Sequence, residues 1–218
     1  LCRMHTLGAD RRGEEEHFTI DVIDNKGGEK FGLSMSCERV KYMRIVSVVD
    51  NSMVCTGLFE PYESDPDDEL TGGVVTMSFS LDSMAINGFS MRYFQNEDIN
   101  IMTNEKTKKI QKERELPNVV PLSFVPAPYG AVVAVGVKEH IKRVNANGTH
   151  THDCAAQGIH LVAVDNRGEV KWVRNLRRMD RQDDGEELMQ TLPYMHGDVL
   201  CLVKNEHPKS PAEYVISK

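Results

Sequence analysis

One pattern constrains this chain more than any other. An aspartate preceded by a large aliphatic residue, with an aromatic seven positions later, occurs three times: Ile23-Asp24 with Phe31, Leu81-Asp82 with Phe89, and Val164-Asp165 with Trp172. Four positions beyond each aromatic stands Met35, Tyr93 or Leu176. Each copy is flanked by alternating apolar and polar residues, as in Phe18-Thr-Ile-Asp-Val-Ile23 and Val74-Val-Thr-Met-Ser-Phe79. Alternation of this period belongs to strands with one buried face, and Asp-Asn-Lys-Gly or Asp-Asn-Arg-Gly between two such runs supplies residues that tolerate the positive φ of a tight hairpin. The chain therefore carries an internal repeat of β-hairpins.

The remaining strand signals fall around these hairpins. A first unit spans about 17–60, with strands near 17–23, 29–36, 42–49 and 53–59, the last two joined by Asp50-Asn51-Ser52. A second spans about 73–138, with strands near 74–81, 87–94, 119–125 and 131–137. A third spans about 158–204, with strands near 158–164, 169–176, 189–195 and 198–203, and Glu213-Tyr-Val-Ile-Ser217 is able to open another. Residues 1–16 carry no periodicity and are expected to be a flexible lead-in to a domain over 17–218, or the remnant of an earlier unit. A polar insertion at 95–117 lengthens the Asp-to-Asp spacing from 58 (82 minus 24) to 83 (165 minus 82). Within it Ile99, Met102, Lys106 and Ile110 have helical spacing, which predicts a short surface helix.

Tandem four-stranded antiparallel units are the grammar of a β-propeller blade, whose apolar face is buried only by the next blade. The expected fold is all-β: blade-like units forming a partial or incomplete β-propeller, since three units fall short of the roughly four to eight of closed rings. On this reading Phe31, Phe89 and Trp172 lie on one face, and Trp172 and the phenylalanines belong to the core.

The stretch from 124 to 206 resembles uncharacterised β-propeller-like proteins of Bacteroidota cell envelopes. Its markers are Gly130-Ala-Val-Val-Ala-Val135, the DxxG hairpin with Trp172, and the Gly197-Asp198 turn before Leu200-Cys-Leu-Val-Lys-Asn205. Thr56-Gly57-Leu58-Phe59 followed by Gly72-Gly73-Val74 looks like that family's preceding unit, while Arg177-Arg178 and Gln182 depart from its usual polar pair after the tryptophan strand. The resemblance implies an exported, periplasmic or envelope-associated protein with no established activity.

Composition narrows the partners. With 218 residues and a net charge of −7, the chain has no electrostatic reason to seek nucleic acid or anionic lipid. No run approaches the roughly 18 apolar residues of a membrane helix. Cys2, Cys37, Cys55, Cys154 and Cys201 are widely spaced and include no CxxC, and Cys55 and Cys201 lie in apolar strand patterns that suit buried thiols.

Chemistry-bearing constellations are few. His150, His152 and Cys154 alternate on an extended segment of the loop between the second and third units, so that their side chains can converge on a metal such as zinc, with His140 and His160 flanking them. Against this, the sequence offers no second ligand cluster at matching spacing. Asp65-Pro-Asp67-Asp68-Glu69 offers oxygen ligands but lacks the glycine-punctuated spacing of a calcium loop. There is no GxSxG elbow, Walker loop or GxGxxG after a strand, and no cofactor is expected. The expected function is a non-enzymatic binding or scaffold module of the cell envelope that contacts a protein or a glycan. The alternative is a hydrolase or lyase with a metal or acid–base site at the mouth of the propeller.

Overall fold

The structure is a computed structural model describing residues 2–7, 17–23, 29–36, 40–60, 70–103, 116, 118–144, 150–183, 192–204 and 212–216; side chains are described at 40, 42–60, 70–103, 116, 118–137, 158–176 and 193–202. These residues form fourteen strands and one helix among them. The strands are β1 (Cys2–Leu7), β2 (His17–Ile23), β3 (Glu29–Ser36), β4 (Val40–Val49), β5 (Ser52–Phe59), β6 (Gly73–Ser80) and β7 (Ala85–Tyr93), then, after helix α1 (Asn96–Thr103), β8 (Val119–Ala127), β9 (Gly130–Val144), β10 (His150–Asp165), β11 (Val170–Asp183), β12 (Leu192–His196), β13 (Val199–Lys204) and β14 (Ala212–Ile216). They make four antiparallel sheets in chain order: β1-β2-β3, β4-β5-β6-β7, β8-β9-β10-β11 and β12-β13-β14.

The fold is all-β with a repeated four-stranded antiparallel unit, as the alternation predicts. The partition differs from the expected one. The four strands read as one unit over 17–60 are shared between the first and second sheets, and β6 pairs with β5 on one side and β7 on the other, so that neither β6 nor β7 joins β8 and β9. Period-two alternation marks strands but does not say which neighbour a strand joins across a longer connection. The expected flexible lead-in also contains a strand, since Cys2–Leu7 pairs with β2 from Cys2↔Val22 to Leu7↔His17. Cys2 and Met4 alternate with Arg3 and His5, but Leu7 breaks the phase, and the neighbouring ladder supplies the order. A propeller requires in addition that the stack of sheets close on itself, which is not shown among the described residues.

Three apolar layers hold the sheets. Between the two four-stranded sheets lies the largest, formed by Val54, Leu58 and Val74 from one side and Val133, Val135, Val162 and Val164 from the other, with Phe94, Met102 and Leu116 filling its margin. The opposite face of the second sheet carries Met53, Cys55, Phe59, Val75, Met77 and Phe79. The opposite face of the third sheet packs Ile159, Leu161 and Ala163 against Leu200 and Leu202 of the fourth. Strands β5 and β6 are thus buried on both faces, apart from Ser80 at the end of β6. Cys55 and Cys201 are buried thiols, as their strand patterns predict.

The hairpin turns of the two central sheets meet at one end. Asp50 and Asn51, both at positive φ, make the two-residue turn of β4 and β5. Asn51 accepts from Leu81 N at 2.8 Å and donates from Nδ2 to Asp82 Oδ1 at 3.1 Å. Asp165 Oδ1 accepts from Arg167 N and Glu169 N at 2.9 and 3.0 Å, while Gly168 takes the left-handed φ of 79°. The Ser78 hydroxyl donates to Asn166 O, and Ser47 to Gly130 O, stitching one sheet to the other. At this seam Gly88 is required, because a Cβ there would fall on the carbonyl oxygen of Arg167.

Phe89 and Trp172 lie in the last strands of their sheets but not in equivalent registers. Phe89 pairs with Met77, five residues before Asp82 (82 minus 77), whereas Trp172 pairs with Ala163, two before Asp165 (165 minus 163). The difference is odd, so the two aromatics point in opposite directions along the stack. The expected common face is therefore corrected, and the reason is where each turn falls around its aspartate: the innermost ladder pair of one hairpin is Ser80↔Ala85, on either side of Asp82, and that of the other is Val164↔Val170, directly before and well after Asp165. Asp24 lies outside the described residues, as does the side chain of Phe31.

Candidate functional site

Strand β7 carries two different surfaces. Its alternate residues Gly88, Ser90 and Arg92 turn toward the third sheet, and Phe89, Met91 and Tyr93 turn the other way. Arg92 reaches a buried polar cluster built from four elements. Asp98 comes from the first turn of α1, His160 from the middle of β10, and Asn175 from β11.

Helix α1 begins where Gln95 ends the chain's exit from β7. Asp98 Oδ2 accepts from Gln95 N at 2.9 Å, half of a capping box, and Glu97 and Asp98 suit the positive end of the helix. One face of the helix, with Asp98 and Met102 four residues apart, is buried rather than on the surface. The expected short helix is present, with Asn96 and Glu97 exposed, while Ile99 and Met102 carry the apolar spacing into the main core. Gly158 permits this approach, since a Cβ there would strike the carbonyl oxygen of Ile101.

Within the cluster Arg92 Nη1 donates to Asp98 Oδ2 at 2.9 Å, Asn175 Nδ2 donates to Asp98 Oδ1 at 2.7 Å, and His160 Nδ1 lies 2.6 Å from Asn175 Oδ1. Arg92 Nη1 also stands 3.4 Å from His160 Nε2. The ring of Phe94 meets the His160 imidazole edge-on at 5.5 Å. The side chains of His160 and Asp98 are 0 % and 3 % exposed, and that of Arg92 is 21 % exposed, so the carboxylate and imidazole are sealed while Arg92 and Asn175 are partly buried at the cluster's margin. Burial holds His160 below its ordinary pKa, with Arg92 acting in the same sense against the upward pull of Asp98 and Asn175. Burial pushes the Asp98 carboxyl up, but His160, Asn175, Gln95 N and Arg92 together outweigh it and hold Asp98 below its ordinary value. With the Asp98 carboxylate and the His160 imidazole both buried and engaged by their neighbours, the cluster is suited to bracing rather than to turning over a substrate.

On the other surface, Phe89, Met91 and Tyr93 are 53 %, 43 % and 43 % exposed, and Ile86 near the turn is 54 % exposed. Tyr93 is held edge-on against buried Phe59 at a ring separation of 4.9 Å. The expectation that the phenylalanines are core holds for Phe59, Phe79 and Phe94 and fails for Phe89. Strand β7 is an edge strand, and the apolar layer beneath it stops at Val75 and Met77. Trp172 is half-buried against the layer shared with the fourth sheet.

The sequence-derived metal candidates His150, His152 and Cys154 fall in β10 rather than in a loop, paired with Val144, Lys142 and His140 of β9. Their side chains lie outside the described residues, as does the acidic run 65–69. Among the described residues no group of three or more His, Cys, Asp or Glu is placed to hold a metal ion. No helix among the described residues is long and apolar enough to cross a membrane, which says nothing of crossing by strands. Sequence reasoning missed Arg92, Asp98 and Asn175, and treated His160 only as a neighbour of the metal candidates. The available signal was a single histidine inside the apolar run Ile159 to Val164.

No protein-family model matches this chain, and no curated protein matches it. Among solved structures it has a likeness to the C-terminal domain of YpeB from Bacillus megaterium, with 13 % identity, 81 % of this chain and 90 % of that chain covered, and a TM-score of 0.18. At that score the likeness supports neither a fold family nor an activity.

Proposed function

We propose that this chain is a non-enzymatic binding or scaffold module whose contact surface is the outer side of β7, and that its partner is a protein. The observation that carries this reading is the row Phe89, Met91 and Tyr93, three large apolar side chains exposed in alternation along an edge strand. Such a strand offers unpaired backbone groups together with side chains that an incoming extended segment can pack against. Left bare, it is an aggregation hazard, so a bound partner accounts for its retention. The buried cluster behind it supplies rigidity, because Arg92 is anchored to Asp98. The resemblance to envelope proteins supports an envelope location for such a module. The hydrolase or lyase alternative needs an accessible acid–base or metal constellation, and the Asp98–His160 pair is sealed.

A photo-reactive amino acid placed at position 89 or 91 in the source cells tests the reading, with position 169, at the exposed Glu169, as control. The expected outcome is an adduct to one discrete protein from 89 and 91 that is absent from 169. Adducts that are absent, or equal at all three positions, would remove β7 as the contact strand.

A further inference from the structure

The hydrogen bonds of the buried cluster run in one fixed order. Arginine has only donors and an ionised carboxylate only acceptors. Asp98 must therefore receive Nδ2 of Asn175, which turns Asn175 Oδ1 toward His160. His160 then carries its hydrogen on Nδ1, and its bare Nε2 faces Arg92 Nη1. The ring Arg92, His160, Asn175, Asp98 and back to Arg92 closes only with His160 neutral. No described buried side-chain nitrogen or oxygen is left without a partner.

We propose that this ring is an acid-release latch: neutral His160 ties β7 to α1, β10 and β11, and one proton taken up at Nε2 sets donor against donor at Arg92 and frees β7. The proton comes from solvent, and no covalent bond changes. Among the described residues, the charged groups that face His160 are Asp98 on α1 and Arg92 on β7. Strand β11 presents the neutral amide of Asn175, β9 presents Val135 as the register partner, and Phe94 covers the ring. Asp98 attracts the added charge across 3.4 Å, but it is already engaged by Arg92, Asn175 and Gln95 N. The added charge sits on a fully buried ring and meets the guanidinium at the one open nitrogen, while the Asn175 acceptor at Nδ1 is undisturbed, so Arg92, which keeps partial access to solvent, is the member that swings out.

The sign of the pH dependence follows. A histidine whose folded pKa lies below its unfolded value of 6.5 costs stability as pH falls below 6.5, and the loss grows until the folded pKa is reached. Asp98, held below 3.8, contributes stability that is present above that value and is lost only as pH falls through its lower folded pKa. The two windows are separate, and mild acid acts through His160.

The latch itself needs only the ring; its effect on partner binding rests on the reading of β7 as the contact strand. Amide hydrogen exchange on the free protein, corrected for intrinsic rates, tests the latch without a partner. Between about pH 7.5 and about pH 5, protection of the β7 amides should fall about tenfold further than that of β5, and His160→Gln should abolish the excess. Equal losses in β7 and β5, or an excess that survives in His160→Gln, would overturn the latch. Should His160→Gln fail to fold, the wild-type imidazole NMR titration decides. Loss of β7 protection tracking protonation of the ring supports the latch, and protonation with β7 unchanged overturns it. The cross-linking result at position 89 stands or falls independently at neutral pH.

Discussion

Strands β7 and β11 end the two central sheets, carry aromatics at the same place in the sequence repeat, and have opposite fates. On β11 the outward row is Trp172, Arg174 and Leu176, with Trp172 and Leu176 resting on the layer that the fourth sheet completes. On β7 the outward row is Phe89, Met91 and Tyr93, all exposed. The inward rows are alike in doing structural work: Arg92 from one strand and Asn175 from the other converge on Asp98. The contrast teaches that an apolar face on an edge strand is core only where another sheet reaches over it. Where none does, the same pattern becomes a surface, and the brace beneath decides how firmly that surface is held.

The largest effect should come from the point the two strands share. Asp98→Ala leaves Arg92, Asn175 and Gln95 N without their acceptor and strips α1 of its cap. Removing one partner of a buried ion pair costs about 3 to 5 kcal/mol, and partial access of Arg92 to water places this one near about 3. Chemical denaturation checks it. A loss under about 1 kcal/mol would mean that the cluster does not brace the two sheets, and the comparison would lose its common anchor.

A middle effect is expected at Trp172. Full truncation of a buried aromatic costs about 3–5 kcal/mol, and for a half-buried ring about 2 kcal/mol is the expected loss in Trp172→Ala. The measurement is again the denaturation midpoint at unchanged slope. A cost as small as that of the corresponding change on β7 would show that the fourth sheet does not cover β11, and the contrast between the strands would vanish.

How much of this was legible in the sequence depends on what kind of information alternation carries. The strands were legible: Ser52–Phe59 and Gly73–Ser80 stand out because their β-branched and aromatic residues alternate with small ones between turn residues. Their grouping was not. Asp50-Asn51 and the segment 24–28 both carry hairpin chemistry, so β2 to β5 looked like one unit, while the division falls at 37–39, which has no turn signature. Alternation also places Phe89, Met91 and Tyr93 on one face without saying whether anything covers it, because coverage depends on a neighbouring sheet remote in sequence. The cluster was hidden for a similar reason. Arg92, Asp98, His160 and Asn175 come from four elements, and ordinary surface positions show the same residue types. The register shift between the Asp82 and Asp165 hairpins is set by turn length and bulges, and identical residue spacing conceals it.

The smallest effect on stability, and the sharpest use of the comparison, lies at Phe89 and Met91. Each ring or thioether on this row already stands half in water, so removing it forfeits little buried area and opens no cavity. Phe89→Ser and Met91→Ser should each change stability by no more than about 0.5 kcal/mol, against about 2 at Trp172. The inward residues of the same strand are untouched, so Arg92 keeps its hold on Asp98 and β7 keeps its place. The double substitution also leaves the backbone edge of β7 intact, since serine pairs in a ladder as readily as it faces water. What should disappear is association through the apolar row: self-association at high concentration, read by sedimentation, should fall. Protein adducts from a photo-reactive residue at position 93 should weaken in the same variant. If instead the double variant unfolds, or its midpoint drops as far as that of Trp172→Ala, the row is covered in solution and β7 is a second β11.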